Sequence, residues 1–253
     1  MCNFYGTIVK RVEYIKLLQI EKQLGTAAAM NELQIMKDRF RYSNSVILRK
    51  ATTDDVEAAA AHWEFIPPWI KSIDELKEKR KQGIPWLNSK GETLLESKMF
   101  REAALKRRCL VLATHFYEWR HYQPEDAKKE TAYPYAIEVN NTDYFYMAGI
   151  WQPWTDKTTD ETMDTFAIIT TRANELMEVV HNKKKRMPTI LPEALAYEWA
   201  LGNLSEARIT ELACYQYPSE DMNAHTIAKD FKTAADPLAE VEYEELPALD
   251  LAL

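Results

Sequence analysis

The chain has 253 residues, 46% of them apolar and 11% aromatic, and a formal net charge of −7. That supplies core for one large domain or two small ones, and no run of eighteen apolar residues offers a membrane span. The charge alone speaks against nucleic acid, but residues 218–253 hold nine Asp/Glu and two Lys, so the 217 residues before them carry 30 basic and 30 acidic groups. A balanced body can still hold a basic groove.

Three cysteines, Cys2, Cys109 and Cys214, are too few for a disulfide framework or for paired zinc-binding spacing. Cys109 and Cys214 lie in apolar surroundings and read as small buried residues. The opening MCNFYGTIVKRVEY lacks the apolar core of a signal peptide, so a cytoplasmic protein is expected. If Met1 is removed, the chain begins with Cys2, whose α-amine (pKa about 8) neighbours a thiol of pKa about 8.5. A 1,2-aminothiol traps an aldehyde twice, as a Schiff base and then as a five-membered thiazolidine. It can also serve as an N-terminal nucleophile in amide hydrolysis. Position alone favours an incidental second residue.

Residues 10–40 are charged with helical spacing and predict one or two surface helices broken near Gly25. Residues 46–48 and 58–66 read as strands, the second stopped by Pro67 and Pro68. Trp63 and Trp69 flank that stop, either as core or lid aromatics or as a stacking wall for a base. An exposed helix is predicted over 72–82, with Ser72 as N-cap, Glu75 in its first turn and Gly83 at its end. Residues 86–93, WLNSKGET, have the composition of a binding turn, as any turn has. Lys98, Arg101, Lys106, Arg107 and Arg108 lie on and after a helical stretch, where a charge run is usually a solvated face.

Residues 107–120, RRCLVLATHFYEWR, are the centre of the chain. Their apolar run 109–113 reads as a buried strand. Glu118 stands among Phe116, Tyr117 and Trp119, either exposed on a polar strand face or held in a partly dry pocket. In the second case its pKa rises, and it becomes a proton donor and acceptor near neutral pH. Residues 133–139 and 144–151 read as a hairpin across 140–143, and 165–171 as a continuous apolar strand. A helix over 173–180 ends at His181, which is followed by NKKKRMP. That histidine is either a helix C-terminal cap or an acid or base beside a phosphate site. Helices follow over 191–201, between Pro192 and Gly202, and over 204–215, capped by Ser205. From about Pro218 periodicity is lost, which marks a surface-draping acidic extension. No internal repeat, GxGxxG, P-loop or HExxH motif is present.

Taken in order, Met1-Cys2, HWEFIPPW at 62–69, NSKGET at 88–93, RCL at 108–110 with FYEW at 116–119, MAGIW at 147–151, TTRAN at 170–174 and His181 to Pro188 resemble the SRAP (SOS response-associated peptidase) family. The resemblance runs from residue 2 to about 225. It implies an abasic-site sensor in single-stranded DNA that links covalently to the ring-opened sugar aldehyde. Cys2 would be the crosslinking nucleophile and form the thiazolidine. Asn88 would orient the Cys2 backbone and the sugar. Glu118 would move protons for Schiff-base formation and help to remove Met1, and His181 would assist ring opening. Lys90, Arg101, Arg108 and Arg186 would contact phosphates, with Trp63, Trp69 and Trp119 stacking on or wedging against bases. The sequence departs from the family after Cys2, where Asn3 and Phe4 replace the usual Gly-Arg. It departs again at Lys90, where arginine is common, and in the lengthened segment between His181 and Arg186.

The expected architecture is one α+β domain, a mainly antiparallel, curved or barrel-like sheet surrounded by helices, over 1–225, with an acidic extension over 226–253. A monomer without metal or cofactor is expected, with abasic single-stranded DNA as partner and no membrane association. Two other functions compete: a thiol peptidase or N-terminal-nucleophile hydrolase acting on peptides, and a non-enzymatic single-strand-binding module.

Overall fold

The pairing of the strands separates the chain into a closed barrel and an open sheet. The computed structural model describes residues 4–6, 37–38, 44–51 and 55–249. In chain order the strands are β1 (Phe4–Gly6), β2 (Lys37–Asp38), β3 (Asn44–Lys50), β4 (Val56–Trp63), β5 (Asn88–Lys90), β6 (Arg108–Ala113) and β7 (His115–Tyr122). They continue with β8 (Thr131–Val139), β9 (Phe145–Thr155), β10 (Thr162–Arg172), β11 (Arg186–Pro188), β12 (Ile190–Leu191) and β13 (Met222–Thr226). The helices are α1 (Ile73–Lys81), α2 (Arg101–Lys106), α3 (Glu175–Val180), α4 (Glu193–Leu201) and α5 (Glu206–Ala213).

Strands β4, β3, β6, β9 and β10 pair in that order, and β10 returns to β4, so the ring closes. Its β10–β4 seam is parallel and the other pairs are antiparallel. Closure removes sheet edges. Strand β5 runs parallel to β10, while β11 and β12 add antiparallel to β10 and β9. The second sheet is open, in the order β13-β8-β7-β1-β2. The α+β class with a barrel-like sheet and outer helices is therefore as expected.

Alternation along the strands sends one set of apolar side chains to each face. Ile47, Ala61, Val111, Met147, Phe166 and Ile168 from the barrel meet Phe116, Tyr135 and Ile137 from the open sheet in one core. Leu110, Ala148, Ile150 and Ala167 point the other way and are covered by α2, α4 and α5. There the Trp199 indole N–H lies 3.1 Å from both the Cys109 and Gly149 carbonyls. No helix among the described residues is long and apolar enough to cross a membrane.

The helix starting after Ser72 forms as its sequence predicts, the Ser72 hydroxyl accepting from the Glu75 N–H at 3.2 Å. Gly83, at φ +75°, takes the left-handed turn that ends it. Two expectations need revision. Residues 133–139 and 144–151 form strands but not a hairpin, because β8 pairs with β7 and β13 while β9 belongs to the barrel. The turn between them changes sheets, held where the Asn140 N–H donates to the Asp221 carbonyl at 2.8 Å. The stretch 86–93 is not simply a loop, since 88–90 pair with β10 and 91–93 form a 3-10 turn. The helices expected over 10–40 lie outside the described residues, except that Lys37–Asp38 form β2.

The C-terminal segment does drape over the open sheet. Strand β13 pairs with β8, and the buried Phe231 packs on Tyr117 with ring centroids 4.7 Å apart. Farther on, the Tyr243 hydroxyl donates to the Ile227 carbonyl at 2.8 Å, and the Arg120 guanidinium donates to the Pro247 carbonyl. The expected boundary at 225 falls inside β13.

Candidate active site

Strand alternation puts Phe116 and Glu118 on the core face of β7, and Tyr117 and Trp119 on the face packed by Phe231. Glu118 is 2% exposed, which decides between its two readings in favour of the dry pocket. Helix α3 opens on Asn174, whose side chain accepts from the Met177 N–H at 3.0 Å, and ends with His181 as its C-cap. That places Nδ1 of His181 3.6 Å from Oε1 of Glu118.

The same Nδ1 lies 2.8 Å from the Arg186 carbonyl. A carbonyl only accepts, so Nδ1 carries the hydrogen and Nε2 keeps its lone pair. Burial pushes the Glu118 carboxyl up to about 8, against the pull of the Lys184 ammonium. Burial, helped by the Lys184 charge, lowers His181 to about 4, although its bond to the Arg186 carbonyl works the other way. At neutral pH the site therefore holds a largely protonated carboxylic acid beside a neutral imidazole. An acid and a base poised in this way can move protons in both directions.

The end of β10 joins this pair to the other sequence-predicted residues. Asn88 and Lys90 stand opposite Ile168 and Thr170 on one side of β10, and Arg186 stands opposite Arg172 on the other. The Arg186 guanidinium reaches Glu92 with both Nη atoms, at 2.6 and 2.9 Å, and Nη2 also donates to the Thr170 hydroxyl at 3.1 Å. Burial pushes Glu92 up, but the bond and charge of Arg186 outweigh it and hold the carboxyl below its usual range. Gly91 is required between them, since a Cβ there would lie 2.2 Å from the Ala213 carbonyl oxygen. Glu92 was not singled out in the sequence; it stands in a quoted motif, but no spacing pairs it with an arginine 94 positions away.

The remaining candidates make other contacts. Arg108 is buried and turns its guanidinium to four main-chain carbonyls, of Ala104, Leu105, Trp199 and Gly202, tying the ends of α2 and α4 to β6. That is the bonding of a structural lock. Arg101 pairs with Glu206 of α5 and donates to the Leu95 carbonyl at 2.9 Å. Trp63 is a core residue, 3% exposed, stacked on Phe166 at 6.5 Å with its N–H donated to the Leu87 carbonyl. Trp69, 53% exposed, presents an open ring. Cys2 lies outside the described residues.

A barrel and an open sheet with a carboxylic acid–imidazole pair held between β7 and β11 define a compact α+β protein equipped for proton transfer. The sequence matches the SOS response associated peptidase (SRAP) family over residues 1–234, and the chain belongs to that family. It is 32% identical over 166 residues to the abasic site processing protein YoqW of Bacillus subtilis, covering 66% of this chain and 67% of that one. It is 25% identical over 206 residues to the abasic site processing protein HMCES of Xenopus tropicalis, covering 74% of this chain and 59% of that one. A crystal structure of a Bacteroides thetaiotaomicron protein superposes with a TM-score of 0.77 at 32% identity, over 94% of this chain and 97% of that one. A Bordetella bronchiseptica protein superposes at 0.67 and 22% identity, over 90% and 100%, and shows the same fold.

Proposed function

We propose that this protein processes abasic sites in single-stranded DNA by capturing the ring-opened sugar aldehyde on Cys2 as a thiazolidine. The observation that carries the reading is the Glu118–His181 pair, buried and 3.6 Å apart, with Glu118 on the strand that β1 joins. Read backwards, β1 runs from Gly6, opposite His115, to Tyr5, opposite Phe116, in the direction of Glu118. Membership of the SRAP family and the abasic-site names of its relatives supply the substrate class.

In this reading the Nε2 lone pair of His181 takes the sugar C1′ hydroxyl proton as the C1′–O4′ bond breaks, and the proton passes to O4′, leaving the aldehyde and a C4′ hydroxyl. The Cys2 amine attacks the aldehyde, and Glu118, protonated at neutral pH, gives its proton to the departing hydroxyl, so that water leaves; the carboxylate then takes back the nitrogen proton, and an imine remains. The thiol then adds to the imine carbon while its proton passes to nitrogen, closing the ring. Overall, aldehyde and aminothiol give thiazolidine and one water. Removal of Met1, which frees the amine, falls to the same Glu118. Lys90 and Arg186, at the end of β10, are the cations assigned to phosphates in this reading, and Asn88 orients the sugar.

Incubating the full chain with an oligonucleotide carrying one abasic site tests this directly. Intact mass should show an adduct of protein without Met1 plus the oligonucleotide less one water, stable to denaturation and absent from Cys2→Ala. Wild-type protein that stays at its own mass, with the amine shown to be free, overturns the reading.

A further inference from the structure

The residue after His181 makes contacts that the proposed chemistry does not use. Asn182 is exposed, yet its carboxamide bonds twice to the main chain of His121. Its Oδ1 accepts from the His121 N–H at 3.0 Å, and its Nδ2 donates to the His121 carbonyl at 2.7 Å. In an antiparallel sheet the N–H and C=O of one residue point to the same side. Strand β8 occupies one side of β7, and β1 occupies the other at His115 and Phe116. Asn182 therefore takes the β1 side six residues farther along and stands in for one residue of a neighbouring strand. The adjoining Lys183 pairs with Glu130, which also lies 3.4 Å from Nδ1 of His121.

The turn from His181 to Arg186 is thereby held at both ends. At the helix end the His181 N–H donates to Met177 O at 2.8 Å, and the Lys185 N–H donates to His181 O at 2.8 Å. Lys185 adopts φ +47°, an uncommon conformation for a side chain this long, so the turn is kept by its contacts rather than by local preference. The clamp on His121 stands three residues along β7 from Glu118, about 10 Å at strand rise. It ties the peptide that carries the imidazole to the strand that carries the carboxyl.

We infer that Asn182 is a positioning residue, whose two hydrogen bonds to β7 set the separation and ring orientation of His181 against Glu118. The inference rests on the proposed function for its kinetic consequence but not for its geometry. It also gives the lengthened segment between His181 and Arg186 a role: the extra residues reach the side of β7 opposite β8.

The test compares full-length wild type, Asn182→Ala and Asn182→Gln. Single-turnover crosslinking to an oligonucleotide with one abasic site should slow about ten- to a hundredfold in Asn182→Ala, the cost of misplacing a proton-transfer group by an ångström or less. Its pH dependence should shift, whereas affinity for the same oligonucleotide with thymine at that site stays within twofold. Asn182→Gln, which keeps both amide groups, should recover part of the rate. An Asn182→Ala protein with wild-type rate and pH profile overturns the inference. So does one whose rate, DNA affinity and melting temperature fall together, because that marks a general structural role. Nitrogen-15 imidazole spectra of His181 provide a readout that needs no reaction: the Nδ1-protonated signature and its titration should move in Asn182→Ala. If wild type forms no adduct, the crosslinking reading fails, and unmoved imidazole signals would then sink the clamp as well.

Discussion

Two glutamates are buried among the described residues, and the company each keeps separates scaffold from chemistry. Glu64, fully buried just beyond barrel strand β4, lies 2.6 Å from the Arg80 guanidinium, which also approaches Nε2 of His62 at 3.0 Å. Glu118, on the open sheet, lies 3.6 Å from an imidazole that burial keeps neutral. Burial raises the pKa of both carboxyls, but at Glu64 a fixed arginine opposes the rise and favours the ion. A buried carboxylate locked to a guanidinium fixes structure, while one set beside a neutral base can give up and regain a proton. The barrel has no edges to defend. The open sheet leaves one side of β7 for β1 and for the Asn182 turn, and it is there that the reactive groups gather.

The largest effect that would sharpen this contrast is at Glu118. Glu118→Gln should slow crosslinking by about 10²- to 10⁴-fold, the usual worth of a positioned general acid. Because the folded acid holds its proton more tightly than the unfolded one, its favourable contribution to stability is complete below about pH 4.3 and is lost as pH rises through about 8. Wild type should therefore lose stability relative to Glu118→Gln across that window, and its crosslinking should decline above about pH 8 for want of the acid. Chemical denaturation at several pH values reads the first and single-turnover kinetics the second. Parallel pH curves for the two proteins would erase the distinction drawn between the two glutamates.

Glu64→Gln should do the reverse. It neutralises the carboxylate that lies 2.6 Å from the largely buried Arg80 guanidinium, at a cost of about 3 kcal/mol. Crosslinking per folded molecule should be unchanged, as measured below the new melting transition. A Glu64→Gln protein of wild-type stability but lowered activity would place chemistry in the barrel as well.

Much of this was legible in the sequence, and the parts that were not share a cause. Ser72, Ser205, Pro192 and Gly202 announced the helix limits, because capping is settled by residues within a turn of one another. The continuous apolar runs of 109–113 and 165–171 announced strands for the same local reason. The strands over 133–139 and 144–151 were legible too, but their pairing was not, since a turn states that the chain reverses and not which sheet receives it. At the site, Glu118 and His181 could be picked out by residue type. Their approach depends on α3 packing against β7, a contact between residues 63 positions apart in the chain. Arg108 and Arg186 looked alike as cations, yet one faces main-chain carbonyls and the other a carboxylate. Composition cannot tell a cation that holds a helix end from one that pairs with a distant carboxylate.

The smallest effect concerns the acidic tail, whose residues beyond 234 lie outside the family match. The Tyr133 hydroxyl donates to Oε1 of Glu245 at 2.9 Å, and its ring packs edge-on against Tyr243 at 5.0 Å with the Lys229 ammonium 4.9 Å above it. Tyr133→Phe keeps the ring contacts and removes one hydrogen bond, about 1 kcal/mol, or some 2–4 °C in Tm for a chain of this length. Because the ring and the neighbouring Arg120–Pro247 contact stay in place, the tail should remain docked and crosslinking should proceed at the wild-type rate. Calorimetry and single-turnover kinetics on the same sample decide it. Crosslinking that quickens when the hydroxyl is lost would move the tail from the scaffold side of the comparison to the site, as a segment that restrains access along the face of β7 shared by Glu118 and Arg120.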